Sequence, residues 1–258
     1  MSKNALGLPY EYQKHPEYFD ALCVCDDTEA KNSIIEKILR SYNVKTVLDM
    51  TCGTGSQVFY LEKQGYKVTG SDFSPALLEM ARERASAEKK KITFIDGDMR
   101  TLKVGQFDAV ITIFNAVGHL TKSGFEKTMR NIHKNLKPGG IYVFDILNLR
   151  AMTDTTVIDL SWHVHAKVHD TQIHTTQFST IDRETGILTS HDHYMIQKNV
   201  EKPKAFKSKF SLQLYTAKEL TAMLKKSGFE VLKQCDMNGL DFVNDKSLSI
   251  LTVAQKTP

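Results

Sequence analysis

The chain carries little that reads as a scaffold of cross-links. It has four cysteines, Cys23, Cys25, Cys52 and Cys235, at spacings that match neither a disulfide framework nor a C-x-x-C zinc pair. No apolar run approaches the ~20 residues of a membrane span. The N-terminal stretch is polar and shows neither the apolar core nor the cleavage site of a secretory leader. No internal repeat or low-complexity tract is evident. Net charge is only +4, and the longest basic run, "EKKK" at 88–91, reads as a solvated helix end. Nothing here demands nucleic acid or a membrane. A soluble, cytoplasmic protein of a reducing compartment is the expectation. What is present suits a packed core: 41% of residues are hydrophobic and 25% charged, which argues against disorder. A length of 258 residues fits one large α/β domain, or one domain with an insertion.

Strand and helix patterns alternate over the first 150 residues. Residues 31–42 place Ile34, Ile35, Ile38, Leu39 and Tyr42 on one helical face. Strands are predicted at 45–50, 67–72, 92–98, 107–114 and 141–147. Helices are predicted at 56–64, closed by Gly65, from Ser74 as N-cap with Pro75 at the first helical position, and at 123–135. Such alternation implies a parallel sheet with right-handed crossovers. From about 160 to 213 the pattern changes to consecutive strand-like runs with turn signals at Gly186 and Pro203. This reads as an inserted antiparallel meander. Thr216 and Glu219 then fit a capping box, Gly228 ends that helix, and two strands close the chain. The expected division is 1–158 with 214–258 as one domain, and 159–213 as the insertion.

The informative stretch is "KTVLDMTCGTGSQV" at 45–58, a strand, a glycine-rich turn and a helix. A phosphate-binding P-loop needs Gly-Lys-Ser/Thr, but Gly55 is followed by Ser56 and Gln57. A dinucleotide fingerprint needs a third glycine where this chain has Val58. Asp49, at the strand's end beside the loop, is a poor neighbour for pyrophosphate and a good one for a positively charged cofactor. Asp72, at the end of the second predicted strand, follows Gly53 at the spacing of an acid that binds ribose hydroxyls.

"DMTCGTG" resembles the first motif of class I S-adenosylmethionine-dependent methyltransferases, whose cofactor carries a sulfonium and an ammonium. Further stretches resemble that family in order: "GSDFSP", "DGDMR", "FDAVITIFNAVGHL" and "LKPGG". The resemblance implies a Rossmann-like, seven-stranded, mostly parallel sheet with helices on both faces. It also implies cofactor contacts from Asp49, Thr51, Gly53 and Gly55. Asp72 would hold the ribose hydroxyls, and Phe73 would lie on the adenine. Asp98 would accept from the adenine amino group, with Met99 contributing its backbone and the Phe114 carbonyl region meeting the methionine ammonium. Within the family the pattern is similar to the sugar N,N-dimethyltransferases and the glycine and sarcosine N-methyltransferases. In those enzymes an N-terminal tyrosine closes over the cofactor. Tyr18 is the candidate here, among Tyr10, Tyr12 and Phe19.

Methyl transfer is an in-line displacement that mainly requires a nucleophile held ~3 Å from the methyl carbon. A neutral amine needs little more, whereas a hydroxyl benefits from a general base. The expected activity is therefore methyl transfer to a small molecule, most simply at an amine nitrogen. His119, just after the fourth predicted strand, is the candidate base, and Asn115 could orient an amine. Asp145 is a weaker candidate or a buried structural carboxylate. Two alternatives stand beside this reading: an O-methyltransferase with His119 as base, and a non-catalytic S-adenosylmethionine-binding protein. A nicotinamide oxidoreductase is disfavoured by Asp49 and Val58. "FNAV" lacks the Pro-Pro-aromatic sequence of amino-methylating DNA enzymes, and no Pro-Cys serves cytosine C5 chemistry. The insertion holds His163, His165, His169, His174, His191 and His193 with Trp162 and Tyr194. Lacking metal-ligand spacing, these histidines read as one polar strand face, and no metal is expected. The other face is expected to cover the active site, with Trp162 or Tyr194 on the substrate. A homodimer through the insertion is compatible with the sequence.

Overall fold

A computed structural model describes residues 6–9, 12, 16–23 and 27–257. Tyr10 and Cys25, singled out above, lie outside the described residues, as does the side chain of Cys23. The elements run α1 (Phe19–Cys23), α2 (Thr28–Ser41), β1 (Thr46–Asp49), α3 (Ser56–Lys63), β2 (Lys67–Asp72), α4 (Pro75–Ala87), β3 (Thr93–Asp96) and β4 (Phe107–Thr112). They continue with α5 (Lys122–Asn135), β5 (Leu136–Leu147), α6 (Asp154–Asp159), β6 (Trp162–Val168), β7 (Thr171–Asp182), β8 (Ile187–Lys198) and β9 (Lys204–Gln213). The chain closes with α7 (Ala217–Lys226), β10 (Phe229–Cys235) and β11 (Ser249–Lys256).

Seven strands form one sheet in the order β10-β11-β5-β4-β1-β2-β3. Its strands are parallel except β11, which runs antiparallel to both β5 and β10. Both faces are covered, so β1, β4 and β5 read as near-continuous apolar runs. Period-two alternation sorts them. Val47, Ile111 and Val143 pack with Ile35, Leu39 and Leu61 on one side. Leu48, Val110 and Phe144 pack with Phe125, Tyr215 and Leu220 on the other. The strand order reverses at β1, which pairs with β2 on one side and β4 on the other. In open α/β sheets a ligand crevice lies beyond the strand ends at such a reversal.

The second sheet, β6-β7-β8-β9, is the antiparallel meander. One of its faces buries Ile173, Leu188 and Tyr194; the opposite, solvent-facing side carries His163, His165, His174, His191 and His193. The rings of His165 and His174 stack across strands at 4.2 Å. Among the described residues, no three His, Cys, Asp or Glu side chains converge to hold a metal. Among them, too, no helix is long and apolar enough to cross a membrane.

Local signals account for most helix starts. Ser74 Oγ accepts from Leu77 N at 3.4 Å and Pro75 occupies the first turn. Two details depart from expectation. The Thr216 hydroxyl accepts from Glu219 N at 3.2 Å, but the Glu219 carboxylate accepts from Lys122 Nζ at 2.5 Å instead of returning to the cap. An ammonium offers a stronger partner than a solvated backbone N–H. "LKPGG", which precedes the strand predicted at 141–147, is itself the start of β5. Leu136 already pairs with Phe107, and the register then shifts before Ala109 meets Ile141. Gly139, at φ +70°, lies in the stretch where the register breaks.

Candidate functional site

A cavity of about 490 Å³ opens where β1 and β4 end, a size suited to a nucleoside-sized ligand. The glycine turn forms one wall. Gly53 (φ +52°) and Gly55 (φ +91°) both take left-handed backbone conformations, and Gly55 caps α3. A Cβ on Gly55 would lie 2.8 Å from the buried Phe59 ring. Gly55→Ala is therefore expected to cost about 1–3 kcal/mol through backbone strain and overpacking. A urea midpoint equal to the wild type would contradict this. Gly55 shapes the turn and does not itself line the cavity.

Two buried carboxylates sit against this turn, and both line the cavity. Asp49 Oδ1 accepts from Thr51 N at 3.1 Å. Burial pushes the Asp49 carboxyl up to about 7, opposed by that backbone bond and reinforced by Asp72. Asp72 Oδ2 accepts from Gly53 N and Oδ1 from Ser74 N, each at 2.9 Å. Burial raises its pKa as well, against those backbone bonds. A carboxylate offers about four lone-pair sites, more than these backbone donors occupy, so it retains capacity for a hydroxyl. Two desolvated acids in one cavity favour a ligand that brings positive charge. Of the cations lining it, Lys31 is paired with Asp27 at 2.7 Å and Arg100 with Asp98.

Several buried polar atoms at the cavity have no hydrogen-bond partner among the described residues: Thr51 Oγ1, both amide atoms of Gln57, and His119 Nδ1. Unpaired buried polar groups are costly, so these atoms mark where a ligand's polar groups fit. Gln57 had no sequence signal beyond its place two residues after the second glycine. Two aromatic rings stay open at the rim, Phe73 at 51% and Phe114 at 42% exposed. Large apolar rings beside a cavity are ready surfaces for a planar ligand.

Asp98 and Met99, after β3, also line the cavity. Asp98 Oδ1 accepts from Arg100 N at 2.8 Å, and both its oxygens accept from the guanidinium. Burial raises its pKa, but Arg100 outweighs burial and holds the carboxyl below its ordinary value.

His119 ends a short 3₁₀ turn, Ala116–His119, and faces the cavity. Its ring lies 5.9 Å from Tyr12 and 5.8 Å from Phe210 of β9. Burial pushes the imidazole down to about 4, against a raising contact with the Gly7 backbone. Leu6 N donates to His119 O at 2.9 Å, and Ser211 N donates to Leu6 O at 3.2 Å. An N-terminal segment thus stitches the His119 turn to the second sheet.

Five expected contributors are placed elsewhere. Asn115 does not line the cavity. Its Oδ1 accepts from Leu147 N at 3.1 Å, and its own N–H donates to Asp145 Oδ2 at 3.0 Å. Phe114 (φ +63°) and Asn115 (φ +58°) are both left-handed, and these bonds stabilise that costly bend. Asp145, raised by burial to about 6, is the anchor of the bend and is not a cavity wall. Tyr18 also lies off the cavity, where Tyr12 and Phe19 stand instead. Their rings meet edge to face at 5.0 Å, Phe19 sits over Gly53, and Asp20 accepts from Thr54 Oγ1 at 2.6 Å. Trp162 and Tyr194 do not reach the cavity; Phe210 is the residue of the second sheet beside His119.

Comparison with known proteins gives a consistent picture. A family model described as a methyltransferase domain matches residues 47–140. The chain is 25% identical to the glycine N-methyltransferase of Oryctolagus cuniculus over 232 residues, 82% of this chain and 79% of that protein. It is 31% identical to the dTDP-3-amino-3,4,6-trideoxy-alpha-D-glucopyranose N,N-dimethyltransferase of Streptomyces venezuelae over 123 residues, 46% of this chain and 50% of that protein. The structure of the sugar N-methyltransferase KedS8 from Streptoalloteichus superposes with a TM-score of 0.77 at 19% identity, covering 100% of this chain and 96% of that one.

Proposed function

Because the chain is a class I S-adenosylmethionine-dependent methyltransferase, we propose that its acceptor is a small molecule methylated at an amine nitrogen. When bound, S-adenosylmethionine supplies an electrophilic methyl group on a sulfonium. The cavity suits it: the buried acids Asp49 and Asp72 offset its positive charge. In this reading Asp72 accepts from the ribose hydroxyls with its remaining lone pairs. Phe73 lies on the adenine, Asp98 and Met99 meet its edge, and the Phe114 backbone region meets the ammonium. Thr51 and Gln57 supply polar partners, and Gly53 lets the ligand approach the backbone. Tyr12 and Phe19 take the covering role that the sequence pointed to at Tyr18.

The observation that carries the nitrogen assignment is the setting of His119, a buried imidazole against the Tyr12 and Phe210 rings whose Nδ1 has no hydrogen-bond partner among the described residues. Burial holds it neutral and pushes it down to about 4, far below the near-neutral value of an effective general base. A hydroxyl acceptor needs such a base, and a neutral amine does not. A neutral imidazole still accepts a hydrogen bond, so His119 Nδ1 orients an amine N–H without removing a proton. The buried, apolar surroundings favour the uncharged amine, which is the nucleophilic form. The amine acceptors named for the glycine and sugar N-methyltransferases above support the same reading.

The test is a set of primary amines, amino sugars and amino acids among them, each paired with its hydroxyl counterpart. Products are identified by mass and NMR. Nitrogen methylation alone is expected, with a rate that rises with pH as the acceptor's own amine deprotonates. His119→Gln is expected to slow turnover by about tenfold or less and to leave that profile in place. An O-methyl product, or a pH limb that disappears with His119, would favour the O-methyltransferase reading instead.

A further inference from the structure

A second, more open concavity of about 610 Å³ lies between the segment after β3 and the outer face of α5. Five lysine and arginine side chains line it: Arg100, Lys103, Lys127, Arg130 and Lys134, with His133 beside them. Among the described residues, no carboxylate lines it. Arg130 is paired with Glu126 at 3.8 Å and Arg100 with Asp98, while Lys103, Lys127 and Lys134 have no ion pair among the described residues. A surface of mixed charge would intersperse acids among so many cations. Here the repulsion among the three lysines is left uncompensated, and a concave wall concentrates the resulting field. That field reaches Asp98, whose carboxyl Lys127 helps to hold low. Arg100 borders both this groove and the cavity described above.

We propose that this groove is a binding site for a small molecule carrying a phosphate monoester or diphosphate. The Arg130 guanidinium, more than half exposed and only 3.8 Å from Glu126, can match phosphoryl oxygens in pairs, and three ammonium groups add point charges. A single carboxylate would leave most of that charge unbalanced. The groove is concave, which suits a compact anion better than a flat lipid surface does.

The test is calorimetric titration with inorganic pyrophosphate, in the presence and absence of S-adenosylhomocysteine. Lys103→Glu/Lys134→Glu alters two exposed positions outside the cofactor cavity, and Lys204→Glu on β9 serves as the control. Saturable one-site binding is expected, unaffected by S-adenosylhomocysteine. It should weaken at least about tenfold in the double variant and stay unchanged in the control. Absence of saturable binding, equal affinity in the double variant, or competition by S-adenosylhomocysteine would overturn the assignment. Retention on phosphatidylserine vesicles or duplex DNA without a pyrophosphate site would overturn it in favour of a macromolecular anion.

Discussion

Asp49→Asn is expected to stabilise the ligand-free protein at pH 8 and to weaken S-adenosylmethionine binding by roughly a hundredfold. Burial raises the Asp49 carboxyl from an ordinary 3.8 to about 7. Between those values the folded state holds a proton that the unfolded chain has released. This group's contribution to stability is therefore full below about pH 4 and falls as pH rises towards 7. The interval corresponds to at most about 4 kcal/mol. Asparagine keeps the acceptor for Thr51 N and removes the ionisation, so its advantage should grow from about pH 4 to 7 and then level. A gain of several degrees in melting temperature at pH 8 is the expected reading for about 2 kcal/mol in a chain of this length. In the complex the same charge is matched by the cofactor, which is why stabilising the empty protein costs affinity. Equal affinity in the variant would remove Asp49 from the cofactor site. Equal melting curves at pH 8 would show that its burial carries no penalty.

Asp72→Ala should lose affinity by a hundredfold or more, but with the opposite effect on stability. Its oxygens accept from Gly53 N and Ser74 N at 2.9 Å, so alanine leaves two backbone donors unpaired beside the glycine turn. Each unpaired buried donor costs about 1–3 kcal/mol. Relief of the buried charge offsets part of this, leaving a net loss of about 2 kcal/mol. Asp72→Asn keeps an acceptor for one donor and should recover part of the stability while leaving affinity low. Calorimetric titration with chemical denaturation separates the two effects. Unchanged affinity in both variants would refute the ribose assignment.

The contrast between these two acids shows what the sequence makes legible. Asp49, Gly53, Gly55 and Asp72 belong to strand-turn-helix units in which a few residues determine where a side chain points. The alternation of those units likewise gives the parallel sheet, its reversal point and the separate meander. Side chains delivered from a distance carry no comparable signal. Phe210 meets His119 where Leu6 links the 3₁₀ turn to β9, a contact between segments about ninety residues apart. Tyr12 and Phe19, not Tyr18, line the cavity, and Asp20 of α1 ties that helix to Thr54. Asn115 sits in the right loop, but its amide is consumed in fixing two consecutive left-handed residues. The basic groove is assembled from a loop and a helix face some thirty residues apart, each with ordinary surface charges of its own.

The central claim is that buried acids recognise a cationic cofactor, and proton release on binding tests it most directly. S-adenosylmethionine and S-adenosylhomocysteine are titrated calorimetrically from pH 6 to 8 in buffers of different ionisation enthalpy. The sulfonium of the first should drive Asp49 to ionise. Protons are then released near pH 6–7, and affinity for S-adenosylmethionine tightens with rising pH up to about 8. S-adenosylhomocysteine, which lacks the sulfonium charge, should release fewer. Binding of both ligands with no proton release and no dependence on pH would contradict the account.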